Sequence, residues 1–256
     1  MHLHDAFILF AAALFAGIAN SISGGGSFLS FPALLLTGVP PIQANATNTA
    51  ALWPGTVAST GAYRREVAAH LRLVPLLTIV GIAGGLVGAK ILLRTPQYTF
   101  MRLIPWLLLI GNLLFIFSVP IARWVRERTL HRPRVSAATR AATVFLLFVI
   151  TVYIGYFGAG VGILVVAVFA LMGLENMHAI SGLRTYLVSV SNLVAIATFI
   201  AAGAVLWPQA LVMVSGAALG GYGGAHFARK LDARRIRQFI VVVGFATSAY
   251  FFIRAR

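Results

Sequence analysis

Apolar residues in this chain run in blocks separated by short polar or glycine-rich breaks, and the blocks form two similar series. The first covers Ala6–Ile22, Ser27–Gly38, Ala44–Tyr63 and Leu73–Leu93, then a fifth block whose body starts at Pro105 and ends near Pro120. The second covers Thr143–Phe157, Ile163–Gly173, His178–Ala202, Leu206–Phe227 and Phe239–Ile253. A full bilayer span needs about 20 apolar residues. The short blocks should therefore merge with neighbours in a hydropathy profile, giving about eight peaks from up to about ten helical segments. Two boundaries are glycine breaks, Asn20-Ser-Ile-Ser-Gly-Gly-Gly-Ser27 and Gly158-Ala-Gly-Val-Gly162. In lipid a broken helix survives only where its freed backbone groups are buried in protein or line a polar cavity. The third block adds Asn45, Thr47, Asn48, Thr49 and Thr56, unusually polar for a lipid-facing helix.

The two series repeat. A shift of 136 residues carries Gly24 and Gly26 onto Gly160 and Gly162. It also carries Gly84-Gly85-Leu86-Val87-Gly88-Ala89 onto Gly220-Gly221-Tyr222-Gly223-Gly224-Ala225. Gly38 meets Gly173 at an offset one smaller. Two separate glycine clusters at one offset point to an internal duplication. The chain thus divides into a first transmembrane repeat (residues 1–122), a basic cytoplasmic linker (123–140) and a second transmembrane repeat (141–256).

Composition agrees with a membrane setting. The 256 residues are 60% hydrophobic and 10% charged, with mean hydropathy +0.92, whereas soluble domains carry about 25% charged residues. The net charge of +15 resides between apolar blocks and not on a polar face, which argues against nucleic-acid binding and for the positive-inside rule. The linker holds Arg123, Arg126, Arg128, Arg132, Arg134 and Arg140 against Glu127. If every block crosses, the Arg64–Arg72 loop, this linker and the Arg229–Arg237 loop share the cytoplasmic side. Each half then crosses an odd number of times, so the halves are inverted. No Lys or Arg precedes the first apolar run, which therefore reads as a retained segment and not a cleaved signal. The expected location is the cell inner membrane or plasma membrane, multi-pass.

Candidate chemistry gathers at the breaks. Gly24, Gly25, Gly26 and Ser27 open a short helix, with Asn20, Ser21 and Ser23 around them; exposed N–H groups and a positive dipole end make an anion site. The competing reading is a packing kink. Gly160 and Gly162 open the second short helix. Thr47 and Asn48 begin the third block, where Asn45 or Thr47 could instead cap its helix. Arg184 lies just inside the matching block, with Asn192 further along; an intramembrane cation is a functional-site hypothesis, against snorkelling to the interface. The five acids, Asp5, Glu66, Glu127, Glu175 and Asp232, sit in loops or near block ends. Cysteine is absent, and there is no His-Glu-x-x-His or Gly-x-Ser-x-Gly. The expectation is no catalytic residues, no metal and no cofactor: not an enzyme.

Gly24-Gly-Gly…Pro32…Gly38-Val-Pro…Ala44-Asn-Ala-Thr-Asn48, then Met177-His-Ala…Gly182-Leu-Arg184…Asn192, resemble the TauE/SafE sulfite-exporter family over nearly the whole chain. The resemblance implies two homologous halves and the carriage of sulfite or organosulfonate anions by a secondary transporter. The fold expected is therefore an all-α polytopic membrane protein of two inverted repeats with broken helices. Its partners would be a small anionic substrate, the lipid bilayer, a coupling ion (H+ or Na+) and, as a further option, a second copy in a homo-oligomer. A passive anion channel, or a carrier of a non-sulfur anion, is the alternative.

Overall fold

The computed structural model describes residues 1–256 except 23, 130–136, 173, 175, 228–231 and 255–256. The described residues form helices and no strand: α1 (Leu3–Ile22), α2 (Ser27–Leu36), α3 (Pro41–Ala62), α4 (Arg64–Ala68), α5 (Val74–Arg94), α6 (Gln97–Thr129), α7 (Ala137–Tyr156), α8 (Gly162–Leu171), α9 (Met177–Ala201), α10 (Trp207–Phe227) and α11 (Ala233–Arg254). Ten match the apolar blocks. The eleventh, α4, is a short helix inside the Arg64–Arg72 connection, where a polar run gives no hydropathy signal. The linker expected over 123–140 is helical at both ends, since α6 reaches Thr129 and α7 starts at Ala137.

Among the described residues, α1, α5, α9, the Gln97–Phe117 part of α6 and the Arg234–Arg254 part of α11 are long and apolar enough to cross a membrane. Phe7, Ile79, Phe145 and Leu211 turn outward, between 64% and 73% exposed; water would penalise such a surface and lipid does not. The protein is an all-α polytopic membrane protein.

Small residues decide which helices touch, because lipid gives apolar helices no hydrophobic reason to associate and close backbone approach takes its place. A Cβ at Gly220 would lie 1.9 Å from the Leu14 carbonyl oxygen, and one at Gly216 would lie 2.5 Å from that of Phe10. A Cβ at Gly88 would lie 2.0 Å from the Val152 carbonyl oxygen, and one at Gly155 2.4 Å from that of Gly85. Thus α1 packs along α10, and α5 along α7, each pair running parallel. In both pairs the first apolar segment of one half meets the fourth apolar segment of the other.

Cross-half hydrogen bonds report the same symmetry. Asn112 on α6 donates through Nδ2 to the Val241 carbonyl on α11 (3.0 Å), and Ser248 on α11 donates to the Pro105 carbonyl on α6 (2.8 Å). The 136-residue shift carries Asn112 onto Ser248 and Pro105 onto Val241, so one bond is the image of the other. On the pseudo-axis itself, Trp53 Nε1 of α3 donates to the carbonyl of its own counterpart, Ser189 of α9 (3.0 Å). From there the helices run antiparallel: Tyr63 packs on Gly182, whereas Thr47 lies by Leu206, just past the far end of α9. Counterpart helices that cross antiparallel define inverted halves.

Helix α6 also continues through Pro120, where the sequence suggests an end. Proline has no N–H and so leaves the carbonyl four residues earlier, that of Ile116, without its helical donor. The Arg237 guanidinium of α11 donates to the Phe115 and Ile116 carbonyls and lies over the Phe115 ring, 4.9 Å from its centroid.

Two outcomes follow from this packing. Gly220→Ala should lower the thermal midpoint in detergent, by an overpacking cost of about 1–3 kcal/mol. Gly223→Ala, three residues on in open space, should leave it unchanged or slightly raised; equal shifts would remove the backbone contact as the cause. Single cysteines at positions 207 and 234 should label from opposite faces with an impermeant reagent, because α10 separates them by about 30 Å.

Candidate functional site

The first break turns on two left-handed glycines, Gly24 (φ +79°) and Gly25 (φ +86°), a backbone region that residues with a Cβ avoid. The chain folds back there, and Asn20, on the last turn of α1, accepts the Gly26 N–H through Oδ1 at 2.8 Å. Phe28 donates to the Gly25 carbonyl (3.0 Å), while Leu29 and Ser30 donate to that of Gly26 (2.9 and 3.2 Å). Among the described residues, the Gly25 and Ser27 N–H groups take no acceptor, and both residues are partly accessible. Free N–H groups at the start of a helix are donors that an anion oxygen can satisfy.

Polar groups extend from this point into the core. The Ser30 hydroxyl lies 3.2 Å from the Gly26 carbonyl oxygen and 2.6 Å from Asn48 Oδ1. Ser30 is fully buried and Asn48 is 5% exposed, so each must find partners inside the protein. Asn45, one turn before Asn48 on α3, donates through Nδ2 to the Tyr156 carbonyl at the C-terminus of α7 (3.1 Å). One buried face of α3 therefore reaches towards the first break through Asn48 and towards the second through Asn45.

The second break is built differently. Gly158 (φ +74°) and Gly160 (φ +77°) turn the chain, and a Cβ at Gly160 would lie 2.3 Å from the Gly111 carbonyl oxygen on α6. Its closest side-chain bond is that of the Tyr153 hydroxyl to the Ala159 carbonyl (3.3 Å). Aromatic rings fill the space between the breaks: Phe31 meets Phe157 edge-on at 5.3 Å, and Phe100 meets Tyr156 at 5.6 Å. Gly111 of α6 borders both breaks, a Cβ there lying 2.9 Å from the Ala159 carbonyl oxygen and 3.2 Å from the Phe28 ring.

The remaining sequence-predicted residues separate into two levels. Thr47 is fully buried and accepts the Leu206 N–H through its hydroxyl oxygen (3.0 Å). Neither Thr47 nor Asn45 caps α3, because the helix starts at Pro41 after Pro40. Arg184 and Asn192, both partly buried, lie on α9 and form no hydrogen bond or ion pair within the described residues; Tyr63 is the electrostatic neighbour of Arg184. Asn48 and Arg184 lie five residues from Trp53 and Ser189, on opposite sides of the axis. At 1.5 Å per residue their levels differ by about 15 Å along the α3–α9 direction. Asn192, by contrast, lies on the Asn48 side. Gly162 opens α8. Ser23, Gly173 and residues 228–231 of the basic loop lie outside the described residues.

Ser30, Asn45 and Arg237 complete the constellation. Of these, Ser30 had one signal in the sequence, a hydroxyl one turn after the glycine run in an otherwise apolar block. Among the described residues no group of three His, Cys, Asp or Glu side chains converges on a metal position.

The sequence profile described as Sulfite exporter TauE/SafE matches residues 9–251. Similar proteins include a probable membrane transporter protein of Haemophilus influenzae, 28% identical over 94% of this chain and 92% of its own length. The Sinorhizobium protein named probable membrane transporter protein ORF9 is 30% identical over 95% and 90%. Escherichia coli K12 has the probable membrane transporter protein YfcA, 26% identical over 94% and 87%. No solved structure gives a significant match. With nearly its whole length matched, the chain belongs to the sulfite exporter TauE/SafE family of membrane transporters.

Proposed function

We propose that this transporter is a secondary carrier of small sulfur-containing anions, sulfite or an organosulfonate, working by alternating access. The observation that carries the reading is the first break. Two backbone donors there, those of the partly accessible Gly25 and Ser27, take no acceptor among the described residues, and the buried Ser30–Asn48 pair lies a turn further on. Such N–H groups favour oxyanions without adding a full buried charge. The family description names sulfite export, which supports the substrate class.

The two repeats, residues 1–122 and 141–256, would move against each other about the Trp53–Ser189 axis. The face bearing Arg64, Arg65, Arg72, Arg234, Arg235 and Arg237 would be cytoplasmic in a plasma or inner membrane. Arg184, on that side of the axis, would receive the anion before it reaches the first break. At the opposite face Gln97 holds α3 shut: its Oε1 accepts the Ile42 N–H (3.0 Å) and its Nε2 donates to Gln43 Oε1 (2.7 Å). A coupling ion, H+ or Na+, would drive turnover, and a homo-oligomer is compatible with the outward apolar surface. A passive anion channel would show flux that neither saturates nor concentrates substrate.

Proteoliposome flux of labelled sulfite and sulfonates tests the reading. Gly25→Leu places a side chain at φ +86°, where its Cβ would meet Ile240 and Phe115 at 3.1–3.3 Å. It should insert in the membrane yet lose transport; normal flux would return the glycines to a packing role. Arg184→Lys should raise the apparent Kd for substrate about tenfold, for about 1.4 kcal/mol lost with the bidentate geometry. Arg184→Ala should nearly abolish binding. Arg235→Ala, at an exposed pair with Asp232 (3.5 Å), should change neither. Normal binding by Arg184→Ala would restrict the site to the break itself.

A further inference from the structure

A cavity of about 450 Å³ lies at the basic end, where the second half of α3, α4, the start of α5 and the middle of α9 meet. Its walls are mainly aliphatic, with Val57, Val67, Leu71, Val74 and Val190 among them. Two of the polar groups on the wall are already engaged. The Thr60 hydroxyl donates to the Thr56 carbonyl (2.9 Å), and the Tyr186 hydroxyl shares a 2.7 Å bond with Thr78. A small inorganic oxyanion moved inside would lose its hydration for few donors in return. The rim is different. Arg64, exposed, gives one long bond to the Gly61 carbonyl (3.3 Å) and forms no ion pair among the described residues. Arg65 and Arg72 follow on the same exposed connection.

This pairing of an aliphatic slot with an unpaired guanidinium at its mouth lies where α3 ends and α5 begins, at the boundary of the membrane. Juxtamembrane basic pockets of this kind hold anionic headgroups, the acyl chains lying alongside in the protein. An isolated substrate anion satisfies the rim alone, and a neutral lipid satisfies the slot alone. We propose that the cavity binds an anionic phospholipid, one acyl chain lying along Val57, Val67, Leu71 and Val190 and its phosphate paired with Arg64. Ser189, on the cavity wall, is also the residue that Trp53 meets on the pseudo-axis. The bound chain therefore borders the contact about which the halves would move. The site is independent of the substrate assignment.

The test uses full-length protein reconstituted in nanodiscs of mixed phosphatidylglycerol and phosphatidylcholine, then released for native mass spectrometry with retained lipids counted. Phosphatidylglycerol should be retained over phosphatidylcholine by about fivefold, the effect of one basic residue on an anionic headgroup. Arg64→Ala should remove that preference. Val190→Trp should remove retention of both lipids by filling the slot with the guanidinium intact. Arg254→Ala, at the opposite end of the bundle, should change nothing. Equal retention of the two lipids, or an undiminished preference in Arg64→Ala, overturns the proposal. Displacement of the retained lipid by millimolar sulfite alone also overturns it, and would make the cavity part of the substrate path.

Discussion

A helix that breaks inside lipid exposes N–H and C=O groups with no water to receive them, and each one left bare costs several kcal/mol. Both breaks in this chain, and much of what surrounds them, follow from that constraint. Asn20 reaches across the first turn to take the Gly26 N–H, and the N–H groups of Phe28, Leu29 and Ser30 fold onto the Gly25 and Gly26 carbonyls. At the second break Asn45 takes the Tyr156 carbonyl and Tyr153 that of Ala159. Arg237 performs the same repair where Pro120 interrupts α6. Polar residues at membrane depth here mostly serve backbone, and the Gly25 and Ser27 donors stand out because the repair stops short of them.

Close approach of backbone holds the bundle together. Gly216 and Gly220 of α10 meet the α1 backbone, Gly88 of α5 meets that of α7, and Gly155 of α7 meets that of α5. These contacts cross between the halves, so neither half is a self-contained bundle. In the proposed mechanism, motion of one repeat against the other would slide along glycine surfaces, where few side-chain interlocks resist it, or turn about the Trp53–Ser189 contact.

Gly84 and Gly220, a pair under the 136-residue shift, stand out in the sequence for a physical reason, since each faces another helix with no room for a Cβ. The apolar blocks likewise predicted ten of the eleven helices. What escaped the sequence depends on partners distant along the chain. Asn45 looks like a helix cap until its amide is seen on Tyr156, 111 positions away. Pro120 looks like a helix end, and α6 continues because Arg237, more than 100 positions on, supplies the missing donor. Helix α4 is polar and short, so neither periodicity nor hydropathy marks it. Arg184 and Asn48 correspond under the shift, which suggests one site; inversion converts that correspondence into a separation.

At the two breaks the inverted symmetry extends to the backbone and stops at the polar side chains. Under the shift Asn20 becomes Tyr156, Ser27 becomes Ile163, Ser30 becomes Val166 and Asn48 becomes Arg184. The first break keeps amides and hydroxyls around its donors; the second presses its glycine against α6 and is sheathed in aromatic rings. Two equal anion sites related by the axis would repel each other across a low-dielectric core, where Coulomb energies grow as the effective dielectric falls. Confining the polar lining to one break avoids that conflict. Its counterpart is left to packing, and Arg184, the counterpart of Asn48, stands on the other side of the axis. If the anion rests at the first break, as proposed, a duplicated fold keeps its backbone symmetry while offering a polar lining at one break alone.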